Sequence, residues 1–272
     1  MSRLDLSGKT AIVTGAASGI GAALAHALAE RGCNLALADI NGDGLEEVAA
    51  GLRSNDRRIT TTILDVGDEA AINAFADEVR KTHGEAHLLF NNAGVALGGH
   101  FDQVSPEQFD WLMNINLNGV IRMTRAFLPL IQEQDEGHIT NISSIFGVIA
   151  PAGQTAYSAA KFGVRGFTMA LRHELDGTSV GVTTIHPGGV ATNIARKAPK
   201  GKGVTDEEYE AALKVADQSL VMPPAQAAEI ILRGVERRKP RVFVGRDAHT
   251  IMWMERLFPT RYWNIIKSRL ST

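Results

Sequence analysis

The tightest constraint on this chain is a rhythm. Short runs rich in Val, Ile, Leu and Thr alternate with longer segments of helical period along most of its length. The runs predict strands at Thr10–Thr14, Asn34–Asp39, Thr60–Leu64, Leu88–Asn91, His138–Ile142, Val180–His186 and Arg241–Val244. Most show little polar alternation, as expected of strands covered on both faces. Between them the pattern predicts helices over Gly21–Arg31, Gly44–Arg53, Glu69–Thr82, Pro106–Glu133, Ala156–Asp176 and Pro224–Arg238. Strand–helix–strand repetition demands parallel pairing with right-handed crossovers. The expected fold class is therefore α/β, a doubly wound parallel sheet of seven strands flanked by helices on both faces.

At 272 residues such a chain can bury a full core as one domain without disulfides or metal. Its formal charge is −2, so no global field draws it to nucleic acid or to an anionic membrane. Cys33 is the single cysteine and reads as a small core filler at a strand entry, leaving no disulfide and no metal site. The opening Met1-Ser2-Arg3-Leu4-Asp5 has no apolar leader core, and no run approaches the ~20 apolar residues of a membrane span. A soluble, cytoplasmic protein is expected.

The first strand runs into Thr14-Gly15-Ala16-Ala17-Ser18-Gly19-Ile20-Gly21, and a helix follows at once. Glycines there let the backbone approach a pyrophosphate, and the helix N-terminus offers unpaired N–H groups at a positive dipole end. The spacing Gly-x3-Gly-x-Gly departs from the commonest dinucleotide fingerprint, and a glycine cluster alone could be a plain turn. Its position at the start of a βαβ unit makes Gly15, Ser18, Gly19, Ile20 and Gly21 candidate cofactor contacts. Asp39 ends the second strand, 18 residues beyond Gly21. A carboxylate there can accept from both adenosine ribose hydroxyls and would repel a 2′-phosphate. Ile40 follows it, and neither Ala17 nor Ser18 is basic, so the expected cofactor is NAD rather than NADP. The plainer alternative makes Asp39 a turn residue before Asn41-Gly42.

Tyr157 and Lys161 sit at i and i+4 of a predicted helix, on one face. A phenol at its reference pKa of ~10 is a poor base at neutral pH. A cation ~4 Å away would favour the phenolate by about 4 kcal/mol at an effective dielectric of ~20, with desolvation opposing part of that. Such a tyrosine could take the proton of an alcohol as hydride leaves, or return it to a ketone. Chance Tyr-x3-Lys pairs are common, so the upstream residues carry weight. Ser144, 13 residues before Tyr157, lies at the C-terminal end of the fifth predicted strand, where open α/β sheets bind ligands. The two hydroxyls could converge on one substrate oxygen.

Taken in order, Thr14-Gly15-x3-Gly19-x-Gly21, Asp65-Val66, Asn91-Asn92-Ala93-Gly94, Asn116, Ser144, Tyr157-x3-Lys161 and Pro187-Gly188-x-Val190-x-Thr192 resemble the short-chain dehydrogenase/reductase family. The resemblance runs from residue 5 to about 245. It implies a Rossmann-fold catalytic domain over 1–245 with a substrate lid at about 193–222, and a homodimer or homotetramer. It also implies site roles. Asp39 would hold the adenosine ribose, while Asp65 and Val66 would meet the adenine. Asn91, Ala93 and Gly94 would line the cofactor cleft, with Asn92 tying the sheet. Asn116 would hold a water that carries a proton relay onward from Tyr157. Lys161 would also hold the nicotinamide ribose. Pro187, Gly188, Val190 and Thr192 would frame the nicotinamide.

Several neighbours compete. Ser143 rivals Ser144, but strand alternation lets only one face the cleft, and the offset from Tyr157 favours Ser144. Asn114 and Asn118 read as helix surface, His186 as a packed, hydrogen-bonded residue, and His173 as exposed helix. The lid's Ile194, Val204, Tyr209, Leu213, Val215, Leu220, Val221 and Met222 fit either an apolar substrate pocket or ordinary helix packing. Arg196, Lys197, Lys200 and Lys202 read as a solvated loop, with reception of an anionic or CoA-linked substrate as the alternative. Beyond Arg246, residues 246–272 interleave Met252, Trp253, Leu257, Phe258, Tyr262, Trp263, Ile265, Ile266 and Leu270 with Arg256, Arg261, Lys267 and Arg269. An amphipathic tail packing on its own or a partner subunit is expected, and membrane contact is not, because the overall charge gives anionic lipid no help. The expected activity is interconversion of a small, apolar secondary alcohol and its ketone. A catalytically idle NAD(H)-sensing protein of the same fold is the alternative.

Overall fold

A computed structural model describes residues 3–53 and 56–270; Met1 and Ser2 and the side chains of Ser268, Arg269 and Leu270 fall outside it. Its strands are β1 (Thr10–Thr14), β2 (Asn34–Asp39), β3 (Ile59–Ile63), β4 (Leu88–Asn91), β5 (Gly137–Ile142), β6 (Val180–Pro187) and β7 (Arg241–Val244). They form one parallel sheet in the order β3-β2-β1-β4-β5-β6-β7. The chain moves outward one way from β1 to β3, then returns beside β1 with β4 and moves the other way. A crevice opens between those two halves, at the C-terminal ends of the strands.

Ten helices are described: α1 (Gly19–Glu30), α2 (Gly42–Leu52), α3 (Glu69–His83), α4 (Pro106–Met113), α5 (Gly119–Gln132), α6 (Thr155–Glu174), α7 (Asp206–Ser219), α8 (Pro224–Glu236), α9 (Arg246–Leu257) and α10 (Tyr262–Leu270). One core layer packs Leu24 and Leu28 of α1 and Ile231 and Leu232 of α8 onto one sheet face. The other packs Ile72 and Phe75 of α3 and Phe127 of α5 onto the opposite face, the two phenyl rings meeting edge-on at 5.4 Å. Cys33 is buried in the first layer, donating its thiol to the Leu6 carbonyl, and burial pushes its pKa up to about 12. It is a core filler with no exposed thiolate. Local chemistry sets several boundaries. Asp68 accepts from the Ala70 and Ala71 amides at the start of α3, and Gly84 ends that helix at φ 78. Ser105 and Gln108 form a reciprocal cap before α4, with Pro106 in the first turn.

Three expectations need correction. The third strand is one residue early, Ile59–Ile63 rather than Thr60–Leu64, because the chain turns inward at Leu64 once the Asp39 pairing ends. The helix expected over Pro106–Glu133 is divided: α4 and α5 flank a π turn at Asn114–Asn118, where the Gly119 amide donates to the Asn114 carbonyl five residues back. The extra residue per turn rotates Asn116 fully inward. No proline marks this spot, since Pro129 lies later in α5. The lid and tail also hold α7, α9 and α10, which the strand–helix alternation does not announce. No helix among the described residues is long and apolar enough to cross a membrane.

Candidate active site

The crevice is lined first by the turn after β1. Gly15 and Gly19 adopt φ +66° and +56°, which side-chain-bearing residues rarely do. Gly21 has no room for a side chain: a Cβ there would lie 1.9 Å from the Gly15 carbonyl oxygen. Ser18 caps α1 without a side-chain hydrogen bond, so no side chain of the cap competes for the first amides of that helix. Asn92 braces the turn, its side-chain amide donating to the Thr14 and Gly15 carbonyls at 3.0 and 3.2 Å. Asp39 reaches back over the same turn, accepting from the Ala17 amide at 3.0 Å and the Asn41 amide at 2.9 Å. The turn reading of Asp39 thus describes real contacts, yet each carboxylate oxygen keeps a lone pair for a ligand. Ile40 is exposed beside it. This cradle, a helix N-terminus behind three glycines, fits the pyrophosphate of a dinucleotide.

Asp65 and Val66 follow β3. Asp65 is exposed and accepts from the Gly67 amide, while Val66 is buried. Asn114 does not stand on the helix surface as expected. It donates to the Gly67 carbonyl at 3.1 Å and accepts from Arg122, which itself donates to that carbonyl at 3.2 Å. The loop after β3 is therefore clamped to the π turn, a coupling that joins residues 47 and 55 positions apart. Asn118 is exposed, as expected. The roles given to Asn91 and Asn92 are also redistributed. The buried Asn91 amide donates to Asn141 at 2.8 Å and Thr124 at 3.0 Å, so it too ties the sheet, though it borders a small void with Thr14 and Ala93.

At the end of β5 the two serines separate. Ser143 is buried and donates to the Lys161 carbonyl at 2.8 Å, anchoring α6. Ser144 faces the crevice, caps the 3-10 turn Ile145–Gly147 by accepting from the Phe146 amide, and lies near the Tyr157 phenol, whose ionised form its hydroxyl favours. His186 supports it from below, its Nδ1 2.9 Å from the Ser144 carbonyl and its ring stacked on Phe243. Burial pushes that imidazole down to about 3, so it is a neutral packing residue. His173 is exposed on α6.

Tyr157 and Lys161 share one face of α6, with the ammonium 5.6 Å from the phenol ring centroid. Lys161 is buried, donates to the Ile142 carbonyl at 3.0 Å, and is pushed down to about 8 by desolvation. The phenol is not lowered as expected. Burial raises it, and the nearby Ser144 hydroxyl offsets only part of the rise. The ammonium points past the ring toward the β5 carbonyl rather than at the phenol oxygen. Phe146 packs edge-on against the Tyr157 ring at 6.2 Å. Asn116 is buried close by: its amide exchanges two 2.8 Å hydrogen bonds with the Val95 backbone and lines the space above Gly94 together with the Lys161 ammonium. Ala93 donates its amide to the Thr14 hydroxyl, joining this group to β1.

The far wall follows β6. Pro187 ends the strand, Gly188 donates to the Val244 carbonyl, and Val190 is buried in a bridge to Met222. Thr192 approaches Gly19 closely enough that a Cβ there would lie 3.0 Å from its methyl group, so the two walls nearly touch. Asp247 accepts from the Gly189 amide at 2.7 Å, a contact from α9 that sequence reasoning missed for lack of any local signal. The lid then crosses over. Gly201 donates to the Gly98 carbonyl, Gly203 to the Gln103 carbonyl, and Gln108 exchanges bonds with the Lys200 carbonyl and the Lys202 amide. Its basic loop is not simply solvated: Arg196 pairs with Asp217, Lys200 with Asp206 and Lys202 with Glu107. Among the described residues no group of three His, Cys, Asp or Glu side chains is placed to hold a metal ion.

Known proteins resemble this chain in sequence and fold. Residues 9–203 match the short chain dehydrogenase family. The chain is 39% identical to the oxidoreductase SadH of Mycobacterium tuberculosis, covering 95% of this chain and 94% of the relative. A short-chain dehydrogenase/reductase from Burkholderia phymatum, solved in complex with NAD, superposes with a TM-score of 0.87 at 28% identity over 94% of this chain and 95% of its own. An NAD-bound short chain dehydrogenase from Mycobacterium paratuberculosis superposes with a TM-score of 0.77 at 28% identity, over 89% of this chain and 97% of its own. The chain therefore belongs to the short-chain dehydrogenase/reductase family of oxidoreductases.

Proposed function

We propose that this protein is an NAD-dependent oxidoreductase that interconverts a secondary alcohol and a ketone, acting in the cytoplasm. The observation that carries the reading is the Tyr157 phenol beside the Ser144 hydroxyl at the end of β5, with the Lys161 ammonium 5.6 Å from its ring centroid. When bound, nicotinamide supplies the two-electron chemistry by accepting or returning hydride at the carbinol carbon. Ser144 would hold the substrate oxygen. Tyr157 would take the alcohol proton as the carbon–oxygen double bond forms, and give it back in reverse. A neutral phenol, which burial favours here, is the state that donates to a ketone. Lys161 would pass charge and protons onward near Asn116, and would meet the nicotinamide ribose.

The glycine cradle of Gly15, Gly19 and Gly21 with Ser18 and Ile20 supports pyrophosphate binding. The Asp39 carboxylate over Ala17, followed in sequence by Ile40 rather than a basic residue, supports NAD over NADP. Asp65 and Val66 would meet the adenine, Ala93, Gly94 and the Asn91 backbone would border the cofactor, and Pro187, Gly188, Val190 and Thr192 would frame the nicotinamide. Trp111, Phe162 and Met169, partly exposed on α4 and α6, support pairing of subunits as a homodimer or homotetramer.

Tyr157→Phe tests the assignment. It should lower turnover of a secondary alcohol by about 10²- to 10⁴-fold while NADH binding, followed by fluorescence, stays within about twofold. Wild-type turnover in that variant would sink the mechanism.

A further inference from the structure

The formal charge of −2 is an average over unlike parts. Residues 246–272 hold five Lys and Arg against two Asp and Glu, a local +3, which leaves −5 on residues 1–245. The structure shows what this basic segment presents. One side of α9 is inward: Ala248 and Ile251 pack with Ile145, Val148, Phe146 and Phe243. The other side carries Trp253 and Leu257, four residues apart and 54% and 65% exposed, followed by Phe258 at 48%. All six residues from Arg256 to Arg261 are exposed, so the turn between α9 and α10 is an apolar knob flanked by two guanidiniums. No ion pair holds either Arg256 or Arg261 among the described residues.

Two occupants could cover such a knob. A stable interface with a second copy needs roughly 800 Å² and 20–30 residues from each partner. Three side chains on one turn fall far short. An anionic lipid surface asks for less: shallow insertion of Trp, Leu and Phe with Arg nearby to meet the headgroups. We propose that the α9–α10 turn docks this protein on anionic lipid, with Trp253, Leu257 and Phe258 entering the headgroup region and Arg256 and Arg261 pairing with phosphates. The −5 remainder is repelled by the same surface, so the molecule lands tail first. The turn also adjoins the loop that follows Ser144, since the Ala150 amide donates to the Tyr262 hydroxyl at 3.1 Å. Resting on the oxidoreductase reading above, that placement makes the substrate class an alcohol or ketone dissolved in lipid.

The test is co-sedimentation of the full chain with vesicles of phosphatidylcholine alone, or mixed with phosphatidylglycerol. Binding is expected only to the mixed vesicles, and should fall as salt rises. Leu257→Asp with Phe258→Asp, and separately Arg256→Glu with Arg261→Glu, should each weaken it on the order of tenfold or more. Both variants should keep NADH binding and turnover of a water-soluble alcohol, which checks that they fold. Equal binding by the variants, or no binding by the wild type, overturns the proposal. So does a loss of oligomer in sedimentation velocity with vesicle binding untouched, which would hand the knob to a second copy. Failure of the oxidoreductase reading looks different: no alcohol is turned over, whatever the vesicles do.

Discussion

The glycine turn after β1 and the lid between β6 and α8 face each other across one crevice. On the turn side the backbone has no slack. A Cβ on Gly21 would meet the Gly15 oxygen at 1.9 Å and the Asn92 amide at 2.6 Å. On the lid side α7 buries no residue and pairs Asp217 with Arg196 and Asp206 with Lys200, while the loop before it is tied to the 98–103 segment by the Gly201 and Gly203 amides. Surface pairs of that kind are worth little individually. On the assignment proposed above, the contrast puts cofactor binding in the sheet itself and substrate selection on an element attached to it.

That contrast can be broken. The largest effect is expected from acid, because the turn side shares its sheet with two buried imidazoles. His138 and His186 are both pushed down to about 3 by desolvation, against an ordinary value near 6.5. With folded values depressed, the unfolded chain binds protons first as pH falls below about 6.5. Stability should therefore be full above that pH and drop by a few kcal/mol between pH 7 and 5 in urea titrations. A flat profile would show that these rings can protonate in place.

Gly21→Ala should come next. The turn must open to admit the methyl group, and NADH affinity should fall on the order of a hundredfold. Fluorescence titration checks it, and native affinity would mean that the cofactor is not held at this turn. Asp39→Ser should then cost about 10- to 100-fold in kcat/KM with NAD while raising the share of turnover seen with NADP. An unchanged preference would return Asp39 to its role as a turn residue. The smallest effect belongs to the lid. Gln108→Ala removes two bonds to its backbone, at 3.0 and 3.1 Å. Amide exchange over 198–204 should quicken several-fold while the glycine turn keeps its protection. If both regions loosened together, lid and turn would be one cooperative unit and the comparison would fail.

Much of this architecture is legible without coordinates, for a local reason. Apolar runs such as Ala11–Val13 and Leu35–Ala38 are buried on both faces, so burial itself writes the strand pattern. The glycine turn and the i, i+4 spacing of Tyr157 and Lys161 are likewise local. Illegible features involve partners far apart in sequence. Asn114 reads as helix surface until Gly67 is placed beside it, and the π turn that aims Asn116 has no breaker residue to betray it. The phenol's upward shift comes from burial, which depends on segments that the local spacing of Tyr157 and Lys161 does not place.

By itself, then, the sequence determined the doubly wound sheet, the glycine turn and the placing of Ser144, Tyr157 and Lys161 on β5 and α6. Periodicity and short spacing are consequences of burial and helix geometry along a single segment. Only the tertiary structure decided that Ser143 anchors α6 while Ser144 meets Tyr157, that Asn91 and Asn92 both brace the sheet, and that the basic lid is paired. It also decided which side of the tail stays exposed. Each of those outcomes depends on what a distant segment brings into contact, and hydrogen bonds and desolvation act only once the chain has closed.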